Sequence, residues 1–261
     1  MTYSTIAVEK RNHIGLLFLN RPQVLNALCE EMSQELLHYL AAAAADDDLR
    51  VLILSGKGRA FSAGADLNMF KSRYQAYRET GQSANAARVE LPRAFIGFPK
   101  PIIAAINGPA VGFGATVPLN CDIRLASSQA KISFAFARVG VTPEFGSSYF
   151  LPRLVGYGKA AELVFTAKMI DAQEALEIGL VNRVVAPEAL LAEAEAMAAQ
   201  IAQMPSAAIC EAKKLLRHGG HSTIEQVLSY EALVFQTATQ TQAHYEAVCR
   251  IMEELSKKSK K

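Results

Sequence analysis

Apolar and polar positions change their rhythm several times along the chain. Ser4–Val8 and Ile14–Asn20 are short apolar stretches on either side of the polar Arg11-Asn12-His13, which predicts a hairpin. From Glu30 to Ala45 the period lengthens: Met32, Leu36, Tyr39 and Leu40 recur at helical spacing, and alanines add propensity. Asp46-Asp47-Asp48 ends that helix in solvent, and Val51–Leu54 is an apolar run of a buried strand's length. Helical or irregular sequence follows from Asp66 to Phe98. A strand at Pro101–Ile106, a short helix over Gly112–Leu119 and a strand around Asp122–Ala126 come next. Strands alternating with helices in this way predict an α/β fold on a largely parallel sheet.

The last third changes character. Beyond a short strand at Val181–Val185 nearly every segment reads as helix. Ala208, Ala212, Leu215 and Leu216 form one apolar stripe. Ile224, Leu228, Ala232 and Phe235 form a second, and Val248, Ile251, Met252 and Leu255 a third. These stripes are expected to pack on the core and on another subunit, with core packing alone as the alternative. No internal repeat accompanies them.

Composition narrows the function classes. The chain has 261 residues, 51% of them hydrophobic, and 27 basic against 25 acidic side chains leave a net charge of +2. Such a balance argues against a binder that works by neutralising many phosphates, so nucleic acid is not an expected partner. No run of about 18 apolar residues is present to span a membrane, and Met1–Lys10 lacks the order of a secretory signal. Cys29, Cys121, Cys210 and Cys249 lie far apart, the pattern of free thiols in a cytoplasmic protein. The basic tail of Lys257, Lys258, Lys260 and Lys261 reads equally as a solubilising end or as a phosphate contact.

Candidate chemistry starts at Ser55-Gly-Lys-Gly-Arg-Ala-Phe-Ser-Ala-Gly-Ala-Asp66, directly after a buried strand. It opens like a dinucleotide fingerprint, but Phe61 stands at the third glycine position, and Gly112–Val117 fails at the same place. Ala60-Phe-Ser-Ala-Gly64 is one residue away from a serine-hydrolase elbow, yet none of the five histidines has the context of a partner base. His218 and His221 lack a neighbouring carboxylate motif, so no metal site is expected. What remains is a pair of glycine-rich turns, each after a strand and before helical sequence, where backbone N–H groups are left free. Two such donors on one carbonyl oxygen would form an oxyanion hole, and Ala63, Gly64, Ala65, Gly112 and Gly114 are small enough to admit a ligand. Further on, Glu144 sits in Val141-Thr-Pro-Glu-Phe-Gly-Ser-Ser148 among apolar and small residues. Two roles fit it: a general base with a raised pKa, or a cap on a helix starting near Gly146.

Taken in order, several motifs resemble the crotonase superfamily, the enoyl-CoA hydratase/isomerase family, over nearly the whole chain. They are Asn20-Arg-Pro with Leu25-Asn-Ala-Leu28, Ala60–Leu67, Lys100–Gly112, Cys121–Ser127 and Leu151–Gly156. The resemblance implies a ββα spiral core, taken as residues 1–200, and a C-terminal helical region, 201–261, that builds a homotrimer or a dimer of trimers. It implies an acyl-CoA thioester as ligand, with coenzyme A as part of the substrate and no separate cofactor. By position, the N–H groups of Ala65 and Phe113 would hold the thioester oxygen. Ala63, Gly64, Asp66 and Leu67 would line the adenine end of coenzyme A, and Gly112 would border the substrate. The stretch Met69–Glu90 would supply variable pocket walls. Hydratases of this family carry two glutamates where this chain has Thr116 and Phe136. Glu144 falls at a third position, in a Pro-Glu-x-Gly-Ser-Ser pattern similar to that of the Δ3,Δ2-enoyl-CoA isomerases. The expected activity is therefore a shift of the double bond of a 3-enoyl-CoA to the 2-position, with hydration or another reaction of the superfamily using other acids, or a catalytically weak acyl-CoA-binding protein, as alternatives.

Overall fold

A computed structural model of the chain describes residues 2–82 and 89–258. Part of the expected Met69–Glu90 wall and the tail residues Lys260 and Lys261 therefore lie outside the described residues. The strands are β1 (Ile6–Arg11), β2 (Ile14–Leu19), β3 (Val51–Gly56), β4 (Ile102–Ile106), β5 (Ala110–Val111), β6 (Ile123–Ser127), β7 (Lys131–Ser133), β8 (Ile170–Asp171) and β9 (Arg183–Val185). The helices of the core are α1 (Glu30–Ala45), α2 (Leu67–Thr80), α3 (Glu90–Ile96), α4 (Phe113–Thr116), α5 (Ser147–Val155), α6 (Tyr157–Thr166), α7 (Ala172–Glu177) and α8 (Leu190–Ala202). Three more close the chain: α9 (Ser206–Gly219), α10 (Ile224–Thr239) and α11 (Gln242–Lys258).

A six-stranded sheet runs in the order β1-β2-β3-β4-β6-β9. Only the β1–β2 hairpin is antiparallel; every other neighbour in it is parallel. Parallel strands need crossovers on both faces, so the strands are buried on both and read as continuous apolar runs. Alternation then sorts their side chains. Ile14, Leu16, Phe18, Val51, Ile53, Ile103 and Ala105 meet α8, whose Leu190, Ala194, Ala198 and Ala202 form a four-residue-spaced stripe. Leu17, Leu19, Leu52, Leu54, Ala104 and Ile106 face the other way, towards Met32, Leu36 and Leu40 of α1 and Phe95 of α3. Each fully buried leucine contributes about 2 kcal/mol of transfer free energy.

A second sheet, β5-β7-β8, was not foreseen from the sequence. Its strands are two or three residues long, too short to show a period.

The C-terminal stripes also differ from an expectation of core packing. Leu215 is half-buried, and the other eleven stripe residues are exposed in the single chain. Ionic contacts hold α9 to the core instead. Lys213 Nζ donates to Asp122 Oδ2 at 2.7 Å and to the Lys100 carbonyl at 2.7 Å, and Arg217 donates to Asp122 Oδ1 at 3.0 Å.

Candidate active site

Register brings the two glycine-rich turns together. β3 and β4 are parallel neighbours, with Leu52 opposite Ile102 and Leu54 opposite Ala104, so the chain leaves both strands at the same edge of the sheet. This is the carboxyl end of parallel strands, where α/β proteins commonly place ligands. The turns are then stitched to each other. Asn107 accepts from Gly56 N at 3.2 Å and donates to the Gly58 carbonyl at 3.0 Å. Ser62 bridges Ala110 in parallel fashion, with Val111 N donating to the Ser62 carbonyl at 2.9 Å. Gly64 has φ of +104°, and a Cβ there would lie 3.0 Å from the Val111 carbonyl, so only glycine brings the turns this close.

A buried asparagine shapes the first turn from below. Asn26 is fully buried, donates to the Lys57 and Ala60 carbonyls at 2.9 and 2.8 Å, and accepts from Arg21 N at 2.8 Å. Its carbonyl takes the hydroxyl proton of Ser62 at 2.8 Å. Ser62 is itself fully buried in that turn, which removes it as a hydrolase nucleophile. Asn26→Ala takes the side-chain partner from three buried or part-buried backbone groups and is expected to lower stability by about 3 kcal/mol, read from the urea midpoint.

The N–H groups predicted to face an oxyanion are available. Leu28 pairs with Ala65 through Leu28 N to the Gly64 carbonyl and Asp66 N to the Leu28 carbonyl, which turns the Ala65 N–H away from the pairing. Phe113 opens α4, so its N–H has no intrahelical acceptor. Among the described residues neither N–H has a hydrogen-bond partner.

Glu144 reaches the same place from a different part of the chain. It stands in an irregular loop before α5, and its Oε1 accepts from the Thr116 hydroxyl at 2.7 Å. The capping alternative fails on geometry: Gly146 is the N-cap of α5, and no side chain caps that helix. The Glu144 carbonyl, not its carboxylate, takes the Ser147 N–H and hydroxyl, at 2.9 and 2.7 Å. Burial pushes the Glu144 carboxyl above the ordinary glutamate range, and the Thr116 bond partly opposes it. Glu144 is nevertheless an exposed residue in the single chain, because it borders an open cavity and not packed core.

That cavity holds about 800 Å³. Of the residues predicted for the site, Ala63, Gly64, Ala65, Leu67, Gly112, Phe113 and Glu144 line it. Asp66 does not: it caps α2 by accepting from Asn68 N and lies 3.4 Å from the Arg21 guanidinium. Phe136 lines the cavity as an apolar wall, and Glu30, Arg73 and Glu90 are its other charged residues. Among the described residues no group of three or more His, Cys, Asp or Glu converges as a metal site would. Sequence reasoning missed the structural parts played by Asn26 and Asn107, although both lie inside the quoted motifs. The sequence carries no local signal for Asn120.

The family model for enoyl-CoA hydratase/isomerase matches residues 9–260. The chain belongs to the enoyl-CoA hydratase/isomerase family. Within that family it is 37% identical to a crotonyl-CoA hydratase from Syntrophomonas wolfei, over 97% of this chain and 96% of the relative. It is 35% identical to a short-chain-enoyl-CoA hydratase from Clostridium acetobutylicum, with the same coverage. A crystal structure of an enoyl-CoA hydratase from Bacillus anthracis superposes with a TM-score of 0.88 at 31% identity, covering 96% of this chain and 97% of that one. The crotonase-type α/β fold with its C-terminal helices follows from these likenesses. No helix among the described residues is long and apolar enough to cross a membrane.

Proposed function

We propose that this member of the family moves the double bond of a 3-enoyl-CoA to the 2-position, with Glu144 as its single acid–base. Coenzyme A would enter along Ala63–Leu67, and the thioester oxygen would lie between the N–H groups of Ala65 and Phe113. Glu144 takes a proton from C2, the electron pair moves towards the thioester oxygen, and a dienolate forms. The same carboxyl returns the proton to C4, leaving the double bond between C2 and C3. Two hydrogen bonds that strengthen as the oxygen gains charge lower the barrier by about 3 kcal/mol per donor.

One observation carries this reading above all. The Thr116 hydroxyl, at the first glutamate position of hydratases, donates to Glu144, and the apolar Phe136 occupies the second position. Hydration needs a water held, deprotonated and its partner proton delivered, and neither residue can take part in that proton transfer. Hydration is the second reading, because the named relatives are hydratases. Incubation with a 3-enoyl-CoA and, separately, with a 2-enoyl-CoA distinguishes them by product. Isomerised 2-enoyl-CoA from the first and no 3-hydroxyacyl-CoA from the second is the expected pair; rapid hydration with no isomerisation overturns the proposal.

The base works only when ionised, and its pKa is raised. The acid limb of kcat/KM should therefore fall away above the usual glutamate range, as pH drops through that raised value. A limb at the ordinary carboxylate position would contradict the upward shift.

The C-terminal region, 201–261, is proposed to assemble three copies around the core of 1–200. Leu216, Ile224, Leu228, Phe235, Ile251 and Leu255 are all more than half exposed in one chain, an apolar area that a soluble monomer rarely leaves open. Sedimentation equilibrium should give a trimer or a multiple of it, and a monomer at micromolar concentration would refute the assembly.

A further inference from the structure

Asn120 lies outside the cavity lining, has 1% of its surface exposed and follows α4 in a 3-10 turn over Val117–Asn120. Its Nδ2 donates to two carbonyls, that of Thr116 at 3.1 Å and that of Phe145 at 2.9 Å. Its Oδ1 is buried with no hydrogen-bond partner. Two carbonyls on the nitrogen side fix which way the amide points, so the orphaned oxygen is a consequence of that clamp. An unpaired buried acceptor is destabilising, and the two donated bonds offset that cost.

The clamp joins the two halves of the site. Thr116 ends the helix whose first residue is Phe113, the source of one free N–H. Phe145 follows Glu144 and holds φ of +56°, a left-handed conformation that is strained for a phenylalanine. Its ring stacks edge-on against Phe113 at 5.4 Å between centroids. Glu144 is thus tied twice to this segment, by its own carboxylate on Thr116 of α4 and by the next carbonyl on Asn120 of the 3-10 turn that follows. The far side of Asn120 is anchored too, since Arg217 of α9 donates to its carbonyl at 3.1 Å.

We infer that Asn120 is a positioning residue, which fixes the separation between the Glu144 carboxylate and the oxyanion donor of Phe113. It touches neither substrate nor reacting atoms. It holds Phe145 in its left-handed conformation and so aims the preceding side chain. The inference rests on the proposed role of Glu144 as base.

Asn120→Leu keeps the volume, removes both donated bonds and abolishes the orphaned oxygen. The expected result is a kcat lower by about 10- to 100-fold with KM for the thioester within about twofold, as for a displaced catalytic group. A kcat within about twofold of wild type, or losses shared equally by kcat and KM, would overturn the inference. If Asn120→Leu does not yield folded protein, Asn120→Ser, whose short hydroxyl cannot span both carbonyls, takes its place with the same expected split. A second readout needs no turnover: a ¹³C titration of the Glu144 carboxyl, assigned by its loss in Glu144→Gln. The Asn120 variant should move that titration, and an unmoved titration counts against the positioning role. Wild-type protein without isomerase activity would instead refute the function, and the titration would still decide on Asn120.

Discussion

Glu144→Gln is expected to lose turnover by about 10²- to 10⁴-fold while binding acyl-CoA with little change, the range for removing a general base. Glutamine keeps the size and can still accept the Thr116 hydroxyl, which now sits 2.7 Å from Oε1. It cannot remove a proton from C2. The loss should therefore appear in kcat, with ligand affinity measured by calorimetry close to wild type. Stability should move the other way. A carboxyl whose folded pKa is raised contributes fully below its unfolded pKa, and that contribution is lost as pH rises through the folded value. At neutral pH the uncharged glutamine removes this loss, so Tm should be equal to wild type or higher. Near-native turnover in this variant, or loss of acyl-CoA binding in proportion to activity, would refute the role given to Glu144.

The second large effect concerns the approach of the two turns. A Cβ at Gly114 would lie 2.2 Å from the Ser62 carbonyl, a backbone atom that cannot swing aside. Gly114→Ala must push α4 away from the first turn, and with it the Phe113 N–H from the Ala65 N–H. Loss of one aligned oxyanion donor lowers kcat by about 10²- to 10³-fold, and overpacking lowers stability by about 1–3 kcal/mol. Gly158→Ala provides the control. It lies in α6 with nothing within 4 Å of the added carbon, and alanine there is expected to be neutral or to stabilise by up to about 1 kcal/mol. Similar effects at the two positions would mean that close approach is not what Gly114 provides.

How much of this was legible in the sequence depended on the length and locality of each feature. The helix over Glu30–Ala45 and the strands around Val51 and Pro101 were readable because each carries a period or an unbroken apolar run. The cavity residues Ala63–Ala65, Gly112, Phe113 and Glu144 were reached through glycine-rich turns after strands and through ordered motifs. Pattern alone left Glu144 between base and cap, because the choice depends on Thr116, distant in sequence and brought near only by the fold. Asp66 was expected along the ligand, and its carboxylate is instead engaged with Arg21 and the start of α2. The outward direction of Leu216, Ile224 and Phe235 was hidden as well, since a stripe records that a face is apolar and not what meets it. Asn120 illustrates the limit most clearly. A lone asparagine in an apolar stretch carries no local signal, and its meaning lies in two carbonyls, one of them on a separate loop.

The most direct test of single-base isomerisation follows the proton itself. A 3-enoyl-CoA deuterated at C2 is incubated with the wild-type protein in ordinary water, and the product is read by NMR and mass spectrometry. A 2-enoyl-CoA with part of the deuterium at C4 is the predicted result, since one carboxyl both removes and returns it. Unchanged 3-enoyl-CoA, or a 2-enoyl-CoA with no deuterium at C4, would contradict it.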